Sequence, residues 1–210
     1  MFAARNAFMT GNAAPAAPVT FLDISSAQAI GTSFSYTVPT GSSLLAVIMF
    51  WTSTTTTGAG VTVNSTSITR SVRVQGTNST VDIYTQLNPT VGSRTIVPSG
   101  PSTGTNTTRV YALTYSNCVS LGSTYTAATN TNSSITFPTV AGSLGLYGAG
   151  FRGLSTLTVA GTGLVSRASF STGSNLVNVN VGDIPGGTAT ATSSNTAISP
   201  GIAGIQLLPT

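Results

Sequence analysis

Apolar side chains alternate with hydroxyl-bearing ones along much of this 210-residue chain, and this alternation limits the folds open to it. Apolar residues recur at alternate positions in the segments 33–38, 71–75, 80–87 and 176–181. A period of two is that of a half-buried β-strand, whereas no window of a dozen residues keeps the 3.6-residue period of a helix. Gly, Pro and Asn interrupt these segments at short intervals, as in β-sandwiches and barrels. The sequence therefore predicts an all-β fold, a single antiparallel β-sandwich of jelly-roll-like form.

The most apolar stretch is the unbroken run of eight residues from Leu44 to Trp51. A bilayer-spanning helix needs about 20 apolar residues, so this run is too short to form one. A short continuous apolar run bounded by turn residues is instead typical of a strand covered on both faces. We expect Leu44–Trp51 to be the one central core strand of the sandwich, and we expect no membrane partner.

The chain divides into an extended N-terminal arm, residues 1–18, and a β-sandwich domain, residues 19–210. The arm is rich in Ala and Pro, and its adhesive side chains are Phe2, Phe8 and Met9, with Arg5 as a polar anchor. We expect these four residues to dock on a neighbouring subunit, while the alternative that the arm folds back on its own sandwich stays open. The stretch 139–175 loosely echoes the first half, but not closely enough to predict a duplication.

Charged residues make up only 5% of the chain, against about 25% in an ordinary soluble domain. The chain has no His, Lys or Glu, and its acids are Asp23, Asp82 and Asp183. General acid–base and nucleophilic catalysis both need a group of tunable pKa, so we expect no enzyme, no cofactor and no transition metal. Two alternatives stay open: Asp23 with Asp183 as a carboxylate pair for glycoside hydrolysis, and Asp183 as a calcium ligand.

The cations are seven arginines scattered singly along the chain, which gives a formal net charge of +4. Binding to nucleic acid is dominated by clustered basic side chains, so we expect no nucleic-acid partner. Cys118 is the only cysteine and cannot form an internal disulfide. We expect it to be a small buried hydrophobe.

Taken in order, several segments resemble a β-sandwich module of tailed-bacteriophage virion structural proteins. The segments are "VTFLD", "SFSYTVPTGSSLLAVIMFW", "VTVNSTSITR", "VDIYTQLNPTVGSRTIV", "RVYALTYSNC" and "IAGIQLLP". The most distinctive segment is "VDIYTQLNPTVGSRTIV". In it an aromatic strand is followed by Leu-Asn-Pro, a Gly turn and a valine-rich strand. The chain departs from the module in having Ser and Thr where glycine is usual in the first hairpin, and in having Cys118 where Asp is frequent.

The resemblance implies a non-enzymatic structural protein at the particle surface, a capsid decoration or head-fibre protein anchored through its arm. Its partners would be other virion proteins, either capsid shell or tail subunits, and further copies of itself, with a trimer as one arrangement. The alternative is a tail-associated receptor- or carbohydrate-binding module that contacts a host surface glycan. For that alternative the candidate glycan contacts are Tyr84, Tyr125 and Tyr147.

Overall fold

The fold is all-β, with antiparallel strands in several sheets. The computed structural model describes residues 16–53, 57–76, 78–101, 107–129, 131–153, 155–171, 177–194 and 199–209. Within these ranges no helix is present that could cross a membrane. The arm residues 1–15 lie outside the described residues.

The first half of the chain, named unit one here, contains nine strands among its described residues. They are β1 (Thr20–Ile24), β2 (Phe34–Val38), β3 (Leu44–Trp51), β4 (Gly60–Val63), β5 (Thr66–Ser67), β6 (Thr69–Gln75), β7 (Thr80–Leu87), β8 (Gly92–Ser99) and β9 (Thr108–Ser116). Five form a sheet in the order β1-β9-β3-β7-β6, and the rest form a second sheet in the order β2-β8-β4-β5. A cluster that includes Val38, Leu45, Trp51 and Ala112 fills the space between the two sheets.

The second half, named unit two, contains eight strands within the ranges that the structure describes. They are β10 (Ser120–Ala127), β11 (Asn132–Phe137), β12 (Leu144–Phe151), β13 (Leu157–Ala160), β14 (Val165–Ser171), β15 (Asn178–Ile184), β16 (Gly187–Ser193) and β17 (Gly201–Leu208). Five form the sheet β10-β17-β12-β15-β14, and three form the sheet β11-β16-β13. A cluster around Phe137, Tyr147 and Ile184 fills this second sandwich.

The two units have the same topology, so the expectation of no clean internal repeat is wrong. Strands β10–β13 match β1–β4, and strands β14–β17 match β6–β9, while β5 has no counterpart. With these matches both sheet orders coincide strand by strand. The registers match as well: Leu44 pairs with Tyr115 on β9, and Leu144 pairs with Leu207 on β17. The architecture is therefore two sandwiches in tandem rather than the single sandwich that the sequence predicted.

The two five-stranded sheets face each other and form the inner layers of a four-layered molecule. A third core, which contains Ile48, Phe50, Val74, Val179 and other residues of both units, lies between them. Each inner sheet is consequently covered on both faces. For this reason Leu44–Trp51 is not the only doubly covered strand, because β9, β12 and β17 are almost entirely buried too.

The equivalent strands β3 and β12 meet in this interface as large side chains against glycines. A Cβ atom on Gly148 would lie 2.7 Å from Ile48 Cγ2, and one on Gly150 would lie 2.4 Å from Phe50 Cδ2. Strand register matches Ile48 of unit one to Gly148 of unit two, and Phe50 to Gly150. Two identical units could not pack this way, since four large side chains would compete for the space that two occupy.

The described chain begins and ends at the same pole of the molecule. The Val19 amide donates to the Gly142 carbonyl oxygen at 2.8 Å, and Asn117 Nδ2 donates to the Pro18 carbonyl oxygen at 2.9 Å. A Cβ atom on Gly142 would lie 3.2 Å from Pro18 Cα and 3.3 Å from Pro209 Cγ. The first strand, the last strand and the segment that joins the units therefore lie side by side.

Candidate functional site

The sequence-predicted site residues fall into two groups. The arm residues Phe2, Arg5, Phe8 and Met9 lie outside the described residues, so their docking stays a prediction. Tyr84 and Tyr147 are buried, with 3% and 0% of their surface exposed, and Tyr125 is half-buried.

The phenol groups of the two buried tyrosines are used inside the protein. Tyr147 donates to Asn180 Oδ1 at 2.7 Å, and Tyr84 lies 3.3 Å from Asp82 Oδ2. The Tyr125 ring packs edge-on against Phe137, with ring centroids 4.9 Å apart. Tyr84 and Tyr147 present no ring face to a saccharide, because both faces of each inner sheet are covered. The alternation in β7 suggested an open face for Tyr84 since the sequence does not reveal that second covering layer.

Asp82 is bound by Arg73 within the inner sheet of unit one. Arg73 Nε donates to Asp82 Oδ1 at 2.6 Å and Nη2 donates to Oδ2 at 2.5 Å, which is a bidentate pair. The Asp82 side chain is fully buried, and 18% of the Arg73 side chain is exposed. The Arg73 guanidinium also lies over the Trp51 ring, 5.4 Å from its centroid. The hydrogen bond to Asp82 raises the pKa of Arg73 further above its usual range.

Asp183 is bound in the same manner by Arg167 in unit two. Arg167 Nε donates to Asp183 Oδ2 at 2.7 Å and Nη2 donates to Oδ1 at 3.0 Å. From unit one, the Tyr115 hydroxyl donates to Asp183 Oδ2 at 3.3 Å, and Phe21 places its ring centroid 4.1 Å from the guanidinium carbon. The carboxylate that the sequence left open for calcium is thus already neutralised by a guanidinium. Its proposed catalytic partner Asp23 is exposed on β1.

The equivalent position in unit one is an open groove, named the β6–β10 groove here. Strand register matches Arg167 to Ser71, Asp183 to Thr85 and Phe21 to Leu121. Ser71 and Leu121 are smaller than their equivalents, and Thr85 is uncharged. These three residues, with segment 66–69 and residues 86–87, line a groove of about 390 Å³. The Ser71 and Thr85 hydroxyl groups are 2.6 Å apart and hydrogen-bonded where unit two has its ion pair. None of the described residues that line the groove is ionisable.

Gln86 lies on the wall that separates this groove from a smaller cavity. The smaller cavity, about 150 Å³, is also lined by Asn64, Thr66 and Arg94. The Gln86 Oε1 atom is buried, and no described residue donates a hydrogen bond to it. A buried acceptor without a donor costs about 1–3 kcal/mol, so such an atom is typical of a place where water or a ligand binds.

Cys118 is a buried free thiol, as the sequence predicted. It lies in the segment that joins the two units, and its Sγ is 3.4 Å from the Ser120 carbonyl oxygen. Burial raises the pKa of the thiol to about 11. Since the thiolate is the reactive form, Cys118 is chemically inert near neutral pH.

Alkaline pH should unfold this protein, whereas its stability should vary little between pH 6 and 8, where no side chain of ordinary pKa titrates. Burial raises the pKa of Tyr36 and Tyr84 from 10.0 to about 12 and that of Tyr115 well above 10.0. The tyrosines of the unfolded chain therefore lose their protons at a lower pH than those of the folded protein. The free energy of unfolding consequently falls as pH rises above about 10. Tyr36 and Tyr84 each account for on the order of 2 kcal/mol of that loss by pH 12.

Urea unfolding at pH 7, 9, 10 and 11 measures the slope of the free energy of unfolding against pH. Tyr36→Phe, which removes one titrating group, should flatten the slope above pH 10. An unchanged slope in that variant would contradict the assignment.

No family model matches the chain, and no curated protein or solved structure is significantly similar to it. Among the described residues, no group of three or more Cys, Asp, Glu or His side chains is placed to hold a metal ion.

Proposed function

We propose that this protein is a non-enzymatic structural component of a tailed-phage virion, a capsid decoration or head-fibre protein at the particle surface. In this proposal the N-terminal arm anchors it to a neighbouring subunit, and further copies of the chain join it in an oligomer. The resemblance of the strand and turn segments to virion β-sandwich modules is the starting point.

The observation that carries the proposal is the almost uncharged outer surface. Among the described residues, the exposed charges are Asp23, Arg70 and Arg152. Elsewhere hydroxyl groups replace charges: on the outer sheets Ser134 pairs with Thr190 at 2.8 Å, and Thr136 pairs with Thr188 at 2.9 Å. A surface with little charge does not repel copies of itself or other neutral surfaces, and this favours assembly.

The disposition of the buried charges supports a structural role. Asp82 and Asp183 are each held by an arginine, and the Arg109 guanidinium carbon lies 3.4 Å from the centroid of the Phe170 ring. These groups join strands, and the Arg109–Phe170 contact joins the two units. A carboxylate held by a bidentate guanidinium is poorly suited to transfer protons.

The architecture is compatible with the proposal without being specific to it. When the two-residue β5 is left out, each unit divides eight strands between two sheets, with its first strand beside its last and its second beside its second-last, as jelly rolls do. Jelly rolls serve as both viral capsid and lectin domains. The assignment of a role must therefore rest on surfaces and partners.

Deletion of residues 2–12 tests the anchoring role. Phage particles assembled with the deleted protein should lose it, as measured by its ratio to the shell subunit in purified particles. The full-length variant Thr136→Ala, which removes one exposed hydroxyl on the outer sheet of unit two, should be incorporated normally. Normal incorporation of the deleted protein would rule out anchoring through the arm.

A tail-associated receptor- or carbohydrate-binding module is the second candidate. The half-buried Tyr125 is the predicted glycan contact that keeps part of its surface exposed. Immunogold labelling separates the candidates, since a decoration protein labels the head and a receptor-binding protein labels the tail tip.

A further inference from the structure

We propose that two copies of this chain pair edge to edge through β11, so that the outer sheets of their second units join into one continuous sheet. The contact surface is the β11 edge, the side of Asn132–Phe137 that faces away from β16. This deepens the function proposed above, on whose oligomer it rests, by giving that oligomer an interface. Three features carry it: the regular register of this strand, the direction of its backbone groups and the absence of charge around it.

Most edge strands of this molecule are protected against pairing with another chain. Bulges and very short strands are two of the devices by which proteins protect sheet edges. In the outer sheets, β5 has two residues and β13 has four. In the inner sheets all the edge strands change register against their neighbours: between Phe21 and Asp23 in β1, Arg70 and Val72 in β6, Leu121 and Thr124 in β10, and Ser166 and Ala168 in β14.

The β11 edge has none of these protections. The strand is six residues long, pairs with β16 without a change of register, and contains neither a charged residue nor a proline. The equivalent edge strand β2 is also regular, but it has five residues and its neighbour β8 carries Arg94. All three strands of the β11 sheet are uncharged. Among the described strands β11 is therefore the longest regular edge, and no like charges within its sheet repel a second copy.

The backbone groups of Ser134 and Thr136 point away from β16. The Ser193 amide donates to the Thr131 carbonyl oxygen at 3.0 Å, so these two residues form a hydrogen-bonded pair of the ladder. Bonded and non-bonded pairs alternate along an antiparallel ladder. Every second residue after Thr131 consequently bonds to β16, while Ser134 and Thr136 turn their N–H and C=O groups outward. Both residues are exposed, and no described residue beyond the ladder bonds to these groups.

The partial charges along this edge are complementary to those of the same edge related by a two-fold axis. The Asn132 carbonyl oxygen already accepts a hydrogen bond from Thr129 Oγ1 at 2.5 Å, so the accessible groups are those of Ser134 and Thr136. In an antiparallel pair centred on Ile135, Ser134 lies opposite the partner's Thr136 and exchanges both backbone hydrogen bonds with it. Thr136 does the same with the partner's Ser134. Every outward group of these two residues then has a bonding partner.

The side chains on the exposed face fit the same pairing. Within one copy, the Ser134 hydroxyl pairs with that of Thr190 at 2.8 Å, and the Thr136 hydroxyl pairs with that of Thr188 at 2.9 Å. Ser134 opposite the partner's Thr136 repeats this Ser–Thr combination, which is a favourable cross-strand pair. The row of hydroxyl groups on the outer face thus continues from one copy into the next.

Sedimentation equilibrium of the purified full-length protein, from micromolar to near-millimolar concentration, tests the proposal. The wild type should show a reversible equilibrium between monomer and dimer. Ser134→Lys places a charge on the β11 edge and should raise the dissociation constant of the dimer at least about tenfold. The matched control Thr158→Lys adds the same charge to an exposed position of β13, at the opposite edge of the same sheet, and should change that constant by less than about twofold.

Cysteine cross-linking provides a second measurement that does not depend on a change of charge. Opposite residues of a hydrogen-bonded antiparallel pair have Cα atoms about 5.5 Å apart, which suits a disulfide. The variant S134C/T136C should therefore form a covalent dimer on mild oxidation. Ser134→Cys alone should not, because the residue opposite it is the partner's Thr136. The native Cys118 is buried and should not contribute.

A protein that stays monomeric at near-millimolar concentration overturns the proposal, and so does a dimer that S134K leaves equally strong. Equal cross-linking by Ser134→Cys alone overturns it as well, since the register is then different. Loss of the dimer on deletion of residues 2–12, with no effect of S134K, would make the arm the contact instead. Each of these results is distinct from a failure of the anchoring role, which is measured by incorporation of the protein into particles.

Discussion

Replacement of Gly145 by leucine should lower the free energy of unfolding by about 3 kcal/mol, because the site has no room for a side chain. A Cβ atom on Gly145 would lie 2.4 Å from Cγ of Phe137, which is itself buried. Strand register matches Phe137 and Gly145 to Val38 and Leu45 in unit one. Unit two therefore fills this space with the large Phe137 beside Gly145, whereas unit one fills it with the smaller Val38 beside the larger Leu45.

The double variant F137V/G145L recreates the combination of unit one and distinguishes this explanation from a general intolerance of substitution. Phe137→Val alone should cost about 2 kcal/mol through the cavity that it leaves. The double variant should return to within about 1 kcal/mol of the wild type in urea unfolding at pH 7. Additive losses in this double-mutant cycle would show that the two positions are not coupled.

Replacement of Arg73 by methionine should destabilise the protein by about 3–5 kcal/mol, since it leaves the buried Asp82 carboxylate without its cation. The Asp82 side chain is fully buried, so water cannot replace the two lost hydrogen bonds. Burial without a partner raises the pKa of a carboxyl group. The loss should consequently be smaller at pH 4 than at pH 8, because at low pH the carboxyl group of the variant can fold in its neutral form.

Two further variants make this second prediction specific to the ion pair. Arg70→Met, on the same strand but exposed, should change stability by no more than about 0.5 kcal/mol. The double variant R73M/D82L, which replaces both charges by apolar side chains, should recover most of the stability. If R73M and R70M lose the same stability at pH 8, the pair contributes nothing beyond a surface contact.

The strands were predictable because each depends on local information. The alternation of segment 80–87 and the apolar run of β3 both lie in strands at the predicted positions. The number of layers was not predictable, because whether the second face of a strand is covered depends on a distant segment. Asp82 and Tyr84 look like solvent-facing residues in the sequence and are buried in the structure.

The sequence did not reveal the duplication, because equivalent positions of the two units share strand register but not residue type. Phe50 corresponds to Gly150 and Leu45 to Gly145, so an alignment by identity fails where packing matters most. The clearest trace is "YTVPTGSSL" beside "ITFPTVAGSL", where each segment turns through a glycine with positive φ, Gly41 or Gly142. In both turns the following serine hydroxyl bonds to a carbonyl oxygen three residues earlier.

The groove was hidden for a related reason. Its walls come from β6 and β7 of one unit and from β10 of the other. Thr66 and Ser67 of the first hairpin, which belongs to the segment noted as a departure from the related modules, line it as well. No local pattern marks them, because their shared role follows from the packing of two units against each other.

The shared pole of Pro18 and Pro209 determines how this molecule could be displayed. A sequence attached beyond either residue must leave from the same side, beside the Asn117 junction. The far end, where Ser79 Oγ lies 3.5 Å from the Gly150 carbonyl oxygen, then points away from any support that holds the chain by its ends. Exposed described residues at that far end, such as Asn78 between β6 and β7, are thus the natural positions for grafted epitopes or affinity peptides.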